Sequence, residues 1–268
     1  MSRSVPGQDG GERGAGEAVT VEVRAGVAVV GLNRPEKRNA LTPDSVDALC
    51  RALQSAVSAQ AAVVLTGAGG VFCGGFDLRL CHERAGTLAH LLHGLARAIT
   101  ILRASEKPVV VAAQGAAIAG GCALLGGADF VVTNAAALLG YPVTPLGISP
   151  AVSAPYLAQR IGTGAARERL LDPGLIDGVE AARIGLVDEC IENAEDVLAR
   201  AVERAQSFAA KPPHAFAATK RLLREMEDLN GASRGENALW VSVRLAENAE
   251  QRQALFDKFG AVKPLMMY

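Results

Sequence analysis

Several short motifs carry residue types and spacings suited to chemistry, and most fail on their context. Gly67-Ala68-Gly69 follows an apolar run, Ala61–Thr66, as a dinucleotide-binding loop would. The third glycine of GxGxxG falls at Phe72, so the pattern breaks. The phosphate-binding GxxxxGK(S/T) pattern is absent. Gly231-Ala232-Ser233-Arg234-Gly235 matches GxSxG, whose serine nucleophile needs a buried strand before it and a helix after it. The preceding stretch, Lys220–Leu229, is charged and helix-like, so the segment reads as a loop between helices. Of the histidines His82, His90, His93 and His214, His90 and His93 stand at i,i+3 on an expected helix and can share a face. No third ligand accompanies them, and no metal is expected. Cys50, Cys73, Cys81, Cys122 and Cys190 are odd in number and contain no CxxC pair. That disfavours a disulfide framework or a zinc site and suits a reducing cytoplasm.

The elements that must position any site follow from length and pattern. The chain has 268 residues, of which 50% are hydrophobic, enough for one large α/β core. The net charge of −1 gives no global field for nucleic acid or an anionic membrane. No apolar run reaches the roughly 18 residues of a membrane span. Residues 1–17 are polar and Gly-rich without an apolar signal core, and are expected to be a disordered tail. A hairpin is predicted from Val19–Val23 and Val27–Leu32 across Arg24-Ala25-Gly26. Thr42-Pro43 opens a helix with an apolar stripe at Val46, Leu49, Leu53 and Val57. Ala61–Thr66 and Val109–Ala113 are buried-strand candidates, with a helix from about Leu88 to Ala104 between them. The Gly/Ala-rich stretch from Gly115 to Gly127 lets a helix start press close to its neighbours. Asp129–Thr133 and Ala136–Gly140 are shorter strand candidates, and from about Ala151 only helices are expected. The order argues for an α/β core over 18–205 followed by a helical region over 206–268. Trp240 reads as core packing, and Leu265-Met266-Met267 as a segment that docks on a partner subunit.

Four segments in order resemble the enoyl-CoA hydratase/isomerase (crotonase) family: Leu32-Asn33-Arg34-Pro35-Glu36-Lys37-Arg38-Asn39-Ala40-Leu41; Val63–Gly67 through Phe72-Cys73-Gly74-Gly75-Phe76-Asp77-Leu78; Gln114-Gly115-Ala116-Ala117-Ile118-Ala119-Gly120-Gly121-Cys122; and Ala181 to Asp188. The resemblance spans roughly Val19 to Pro264 and implies a crotonase-like β/α spiral core with a helical C-terminal trimerisation region. It implies an acyl-CoA ligand, a homotrimer or hexamer, and no cofactor beyond the coenzyme A of the substrate. It places the amides of Phe76 and Gly120 as a backbone oxyanion hole, which holds the thioester carbonyl as it becomes an enolate. It also places coenzyme A along Arg38, Ala40, Cys73 and Gly75, with Lys37 or Arg38, and less directly Lys258 or Lys263, near its phosphates. Phe76 is bulky where many members carry a small residue, so its ring would reshape or block the pocket.

The resemblance also exposes two departures. Family hydratases carry a glutamate just after the third signature's Gly-Gly-Cys, and here that position is Ala123. They carry a second after a proline, and here that position is Val143. Losing a general acid/base typically costs about 10²–10⁴ in rate, so ordinary two-glutamate hydration is not expected. Three readings follow. The first is an enzyme of decarboxylation or isomerisation type that relies on the oxyanion hole, or borrows a proton-transfer group from Tyr141, His82, Glu83 or Asp77. Residues 141 and 143 share a face if they lie on one strand. Asp77 is expected instead to stabilise its loop. The second reading is a non-catalytic acyl-CoA carrier or sensor. The third is an interaction protein whose pocket is closed.

Overall fold

The computed structural model describes residues 17–229 and Val243. Its strands are β1 (Val19–Arg24), β2 (Val27–Leu32), β3 (Ala62–Gly67), β4 (Val109–Ala113), β5 (Ala116–Ile118), β6 (Phe130–Asn134), β7 (Leu138–Gly140), β8 (Ile176–Asp177) and β9 (Glu189–Ile191). Its helices are α1 (Pro43–Ala59), α2 (Leu78–Glu83), α3 (Thr87–Ala104), α4 (Gly120–Leu124), α5 (Ala154–Ile161), α6 (Thr163–Leu171), α7 (Gly178–Arg183), α8 (Val197–Ala209) and α9 (Pro213–Leu229). One sheet has the order β1-β2-β3-β4-β6-β9, and a smaller one has the order β5-β7-β8. The β1–β2 pair is antiparallel, and every later neighbour in the larger sheet is parallel.

The central parallel strands β2, β3 and β4 are almost wholly apolar because helices cover both of their faces. Alternation divides each strand between two cores. Ala28, Val30, Val63, Leu65, Val109 and Val111 face α1 and α3, where Val46, Leu49, Leu53, Leu91, Ile99 and Leu102 are buried. Val27, Val29, Val64, Val110 and Val132 face the other way, against Val197, Ala201 and Ala205 of α8. Each fully buried Val or Leu contributes about 1.5–3 kcal/mol, so neither face can be left uncovered. The start of α1 is fixed by a reciprocal cap. Thr42 Oγ1 accepts from the Ser45 amide at 3.2 Å, Ser45 Oγ accepts from the Thr42 amide at 2.8 Å, and Pro43 occupies the first turn.

Two expectations need correction. Strands do not end at Ala151: β8 and β9 lie beyond it. They are two and three residues long, too short for any periodicity, and exist because a sheet edge is already there to pair with. The expected boundary after residue 205 falls inside α8, which belongs to the core through its contact with the sheet. The GxSxG segment, Trp240, Lys258, Lys263 and Leu265–Met267 lie outside the described residues. Among the described residues no helix is long and apolar enough to cross a membrane.

Candidate active site

The C-terminal ends of β3 and β4 carry two glycine-rich segments, and polar side chains lock them together. Asn39 Nδ2 donates to the carbonyls of Ala68 at 2.9 Å and Val71 at 2.7 Å. Gln114 Nε2 donates to Gly67 O at 2.5 Å and Gly69 O at 3.2 Å. Both side chains are buried, and their amide donors are satisfied by carbonyls of the loop. Gly115 sits at φ +67°, and a Cβ there would stand 1.8 Å from Gly70 O, so only glycine fits the crossing.

This packing aims two amides. The 73–77 segment runs between two neighbours: Leu41 N donates to Gly75 O at 2.7 Å, Asp77 N donates to Leu41 O at 2.9 Å, and Ile118 N donates to Cys73 O at 2.9 Å. Peptide bonds here are trans, which sets each C=O antiparallel to the following N–H. With Gly75 C=O turned toward Leu41, the Phe76 N–H points to the opposite side. Among the described residues it donates to no backbone carbonyl. Gly120 is the first residue of α4, so its N–H has no intrahelical acceptor, and among the described residues it too donates to no backbone carbonyl. Ala119, just before it, holds φ 51° and ψ −109°. That is a strained conformation for alanine, held in part by Ala119 N donating to Gly140 O at 2.8 Å.

Phe76, Gly120, Ala123 and Val143 meet around one cavity of about 60 Å³. Leu78, Leu92, Leu95, Leu146, Ile148 and Val152 complete most of its wall. Among the described residues no carboxylate, histidine or cation lines it, and the hydroxyl of Ser149 is the sole polar side chain on the wall. Phe76 and Gly120 therefore both border an apolar space, where any hydrogen bond is worth more than in water. The Phe76 ring lies over Gly120: a Cβ on that glycine would stand 2.8 Å from Cε1 of the ring.

The other expected residues fall as follows. Tyr141 does not share a strand face with Val143, because β7 ends at Gly140. Its ring is buried away from the cavity and its hydroxyl donates to Cys122 O at 3.2 Å. Burial pushes its pKa up from the ordinary tyrosine value, and it lies off the wall that Ala123 and Val143 line, where the expected proton-transfer role would need it. Asp77 caps α2, its Oδ1 accepting from Leu80 N at 3.4 Å, and lies 3.9 Å from Arg34. His82 and Glu83 are exposed on α2 and neither lines the cavity. Cys73 and Gly75 are buried behind the loop. Cys73 is completely inaccessible, its thiol pushed to about 12 by burial, so it cannot touch a ligand at the surface as expected. Lys37 and Arg38 are exposed, and Ala40 is half-buried beside them. His90 bonds Asp47 at 3.1 Å and His93 Nδ1 lies 2.8 Å from Ala89 O. No cluster of metal-ligating side chains occurs among the described residues. Ser149 and the leucine-rich wall went unnoticed in the sequence, since nothing in their local pattern separates pocket lining from core.

Comparison with known proteins bears on the family and the fold. The family model described as enoyl-CoA hydratase/isomerase matches residues 22–255. A short-chain-enoyl-CoA hydratase of Clostridium acetobutylicum is 31% identical over 211 residues, covering 76% of this chain and 80% of that protein. A crotonyl-CoA hydratase of Syntrophomonas wolfei is 32% identical over 185 residues, covering 67% of this chain and 71% of that protein. The crystal structure of an enoyl-CoA hydratase/isomerase from Xanthobacter autotrophicus superposes with a TM-score of 0.83 at 26% identity, covering 94% of this chain and 97% of that one. With its crotonase-type α/β fold and a family-model match over most of its length, the chain belongs to the enoyl-CoA hydratase/isomerase family.

Proposed function

We propose that the protein is an acyl-CoA enzyme that stabilises a thioester enolate with the Phe76 and Gly120 amides and uses no side-chain carboxylate to form it. One observation carries the reading: the two amides open on a cavity that also holds Ala123 and Val143, with no acid or base on its described wall. Decarboxylation of a small malonyl-type thioester fits such a site best. The electrons of the breaking C–C bond pass into the enolate, CO₂ leaves, and water returns a proton to the α-carbon. No base is needed to form the enolate. An apolar wall also disfavours the substrate carboxylate relative to a delocalised enolate held by two N–H donors. Lys37 and Arg38, exposed on the adjoining turn, are suited to the coenzyme A phosphates.

In this reading the subunits assemble as a homotrimer or hexamer in the cytoplasm. Leu222, Leu223 and Met226, all more than half exposed on α9, support assembly through that region. The names of the Clostridium and Syntrophomonas relatives point to hydration of short enoyl thioesters, so hydration is the control reaction. The test incubates the purified protein with malonyl-, methylmalonyl- and crotonyl-CoA and follows the products by chromatography. Decarboxylated thioester from either of the first two, with crotonyl-CoA left unhydrated, is the expected result. Hydration of crotonyl-CoA as the main activity would overturn the assignment. Saturable binding of all three without turnover would favour the second reading, an acyl-CoA carrier, which the lack of an acid or base on the described wall also supports.

A further inference from the structure

We propose that the ring of Phe76 sets the length of acyl group the cavity admits, so that the site selects short chains. The inference rests on the acyl-CoA reading above and adds a specificity-determining residue to it. Phe76 has two roles that separate cleanly, because its amide belongs to the backbone while its ring is variable chemistry. The ring is half-buried against the core and covers Gly120 at the point where the second amide opens. Its position is fixed by the backbone on either side, through the Leu41 bonds to Gly75 and Asp77.

The room left beneath it is small. A water-sized group needs about 10–15 Å³ of such space. The cavity of about 60 Å³ therefore accepts an acyl portion of roughly four to six heavy atoms. Leu92, Leu95 and Leu146 also line the cavity, and all three are buried. Phe76 is the largest side chain lining the cavity and only half-buried, so it is the wall whose removal gains most room. Each methylene that finds buried space adds about 0.8 kcal/mol, or about fourfold in affinity. Affinity for saturated acyl-CoA thioesters then climbs with length only until the cavity is full.

The experiment is calorimetric titration of the full chain with acetyl-, butyryl-, hexanoyl-, octanoyl- and decanoyl-CoA, for wild type, Phe76→Ala and Phe76→Leu. Wild-type affinity is expected to level off or fall beyond butyryl-CoA. In Phe76→Ala the rise is expected to continue through the next methylenes at up to about fourfold each, and Phe76→Leu falls between and guards against a folding defect in the alanine variant. Steady gain to decanoyl-CoA in wild type, or the same plateau in all three proteins, would overturn the gate while leaving acyl-CoA binding intact. Absence of binding to every thioester by all three proteins would overturn the acyl-CoA reading and the gate with it. Binding confined to the variants would also overturn the length gate, because a ring that closes the site selects no chain.

Discussion

Gly120→Ala probes the contact between ring and glycine without needing any ligand. A Cβ at this position would stand 2.8 Å from Phe76 Cε1, 3.1 Å from Cδ1 and 3.6 Å from Cζ. The methyl thus meets one whole edge of the ring, which must move. Overpacking of this kind costs about 1–3 kcal/mol. Gly120 lies in α4 outside the left-handed region, so alanine's preference for helical backbone offsets up to about 0.5–1 kcal/mol. The net expectation is a loss of about 0–2.5 kcal/mol. In a Phe76→Ala background the ring is gone and only the helical gain remains, so the same substitution becomes neutral or stabilising. The coupling between the two sites is therefore about 1–3 kcal/mol. Urea unfolding of the four proteins at one fixed protein concentration measures it, because assembly would otherwise mix into the midpoints. Equal effects of Gly120→Ala in both backgrounds would refute the contact, and with it the idea that the ring overlies the second amide.

Two more outcomes follow from the surroundings of the site. Tyr141→Phe is expected to lower stability by about 1 kcal/mol, the net worth of a buried hydrogen bond, and to leave acyl-CoA affinity unchanged; a tenfold change in affinity or turnover with intact stability would return the tyrosine to the pocket. Glu189 on β9 meets Arg200 at 2.6 Å and Arg204 at 3.0 Å on α8. Burial alone would raise its pKa, but the two guanidinium groups outweigh it and hold the carboxyl below the ordinary glutamate value. Its contribution is full above the unfolded-state value and is lost as pH falls through the lowered folded-state one. Wild type should therefore lose more stability than Glu189→Gln as pH falls through the carboxylate range, which thermal unfolding across a pH series measures; parallel curves would show that the ion pairs add nothing.

Much of the fold was legible because its long elements carry strong periodic signals. The Thr42-Pro43 start, the strand Val109–Ala113 and the hairpin up to Leu32 match their expected positions. The helix expected from about Leu88 to Ala104 is Thr87–Ala104. β8 and β9 were not legible, since their pairing partners β7 and β6 lie far away in sequence. The same limit applies to side chains. Asn39 and Gln114 look like ordinary polar residues in the sequence, and their role as loop anchors exists only once Gly67–Val71 is folded against them.

By itself the sequence determined the family resemblance, the glycine framework and the replacement of two expected glutamates by Ala123 and Val143, because these depend on residue identity at spaced positions. Tertiary structure decided which way the groups face. It turned Tyr141 toward Cys122 and away from the cavity, buried Cys73, made Asp77 a helix cap and laid the Phe76 ring across Gly120. Orientation of a side chain is set by the trans peptides, the positive-φ glycine and the packed neighbours around it, and those neighbours come from segments distant in the chain.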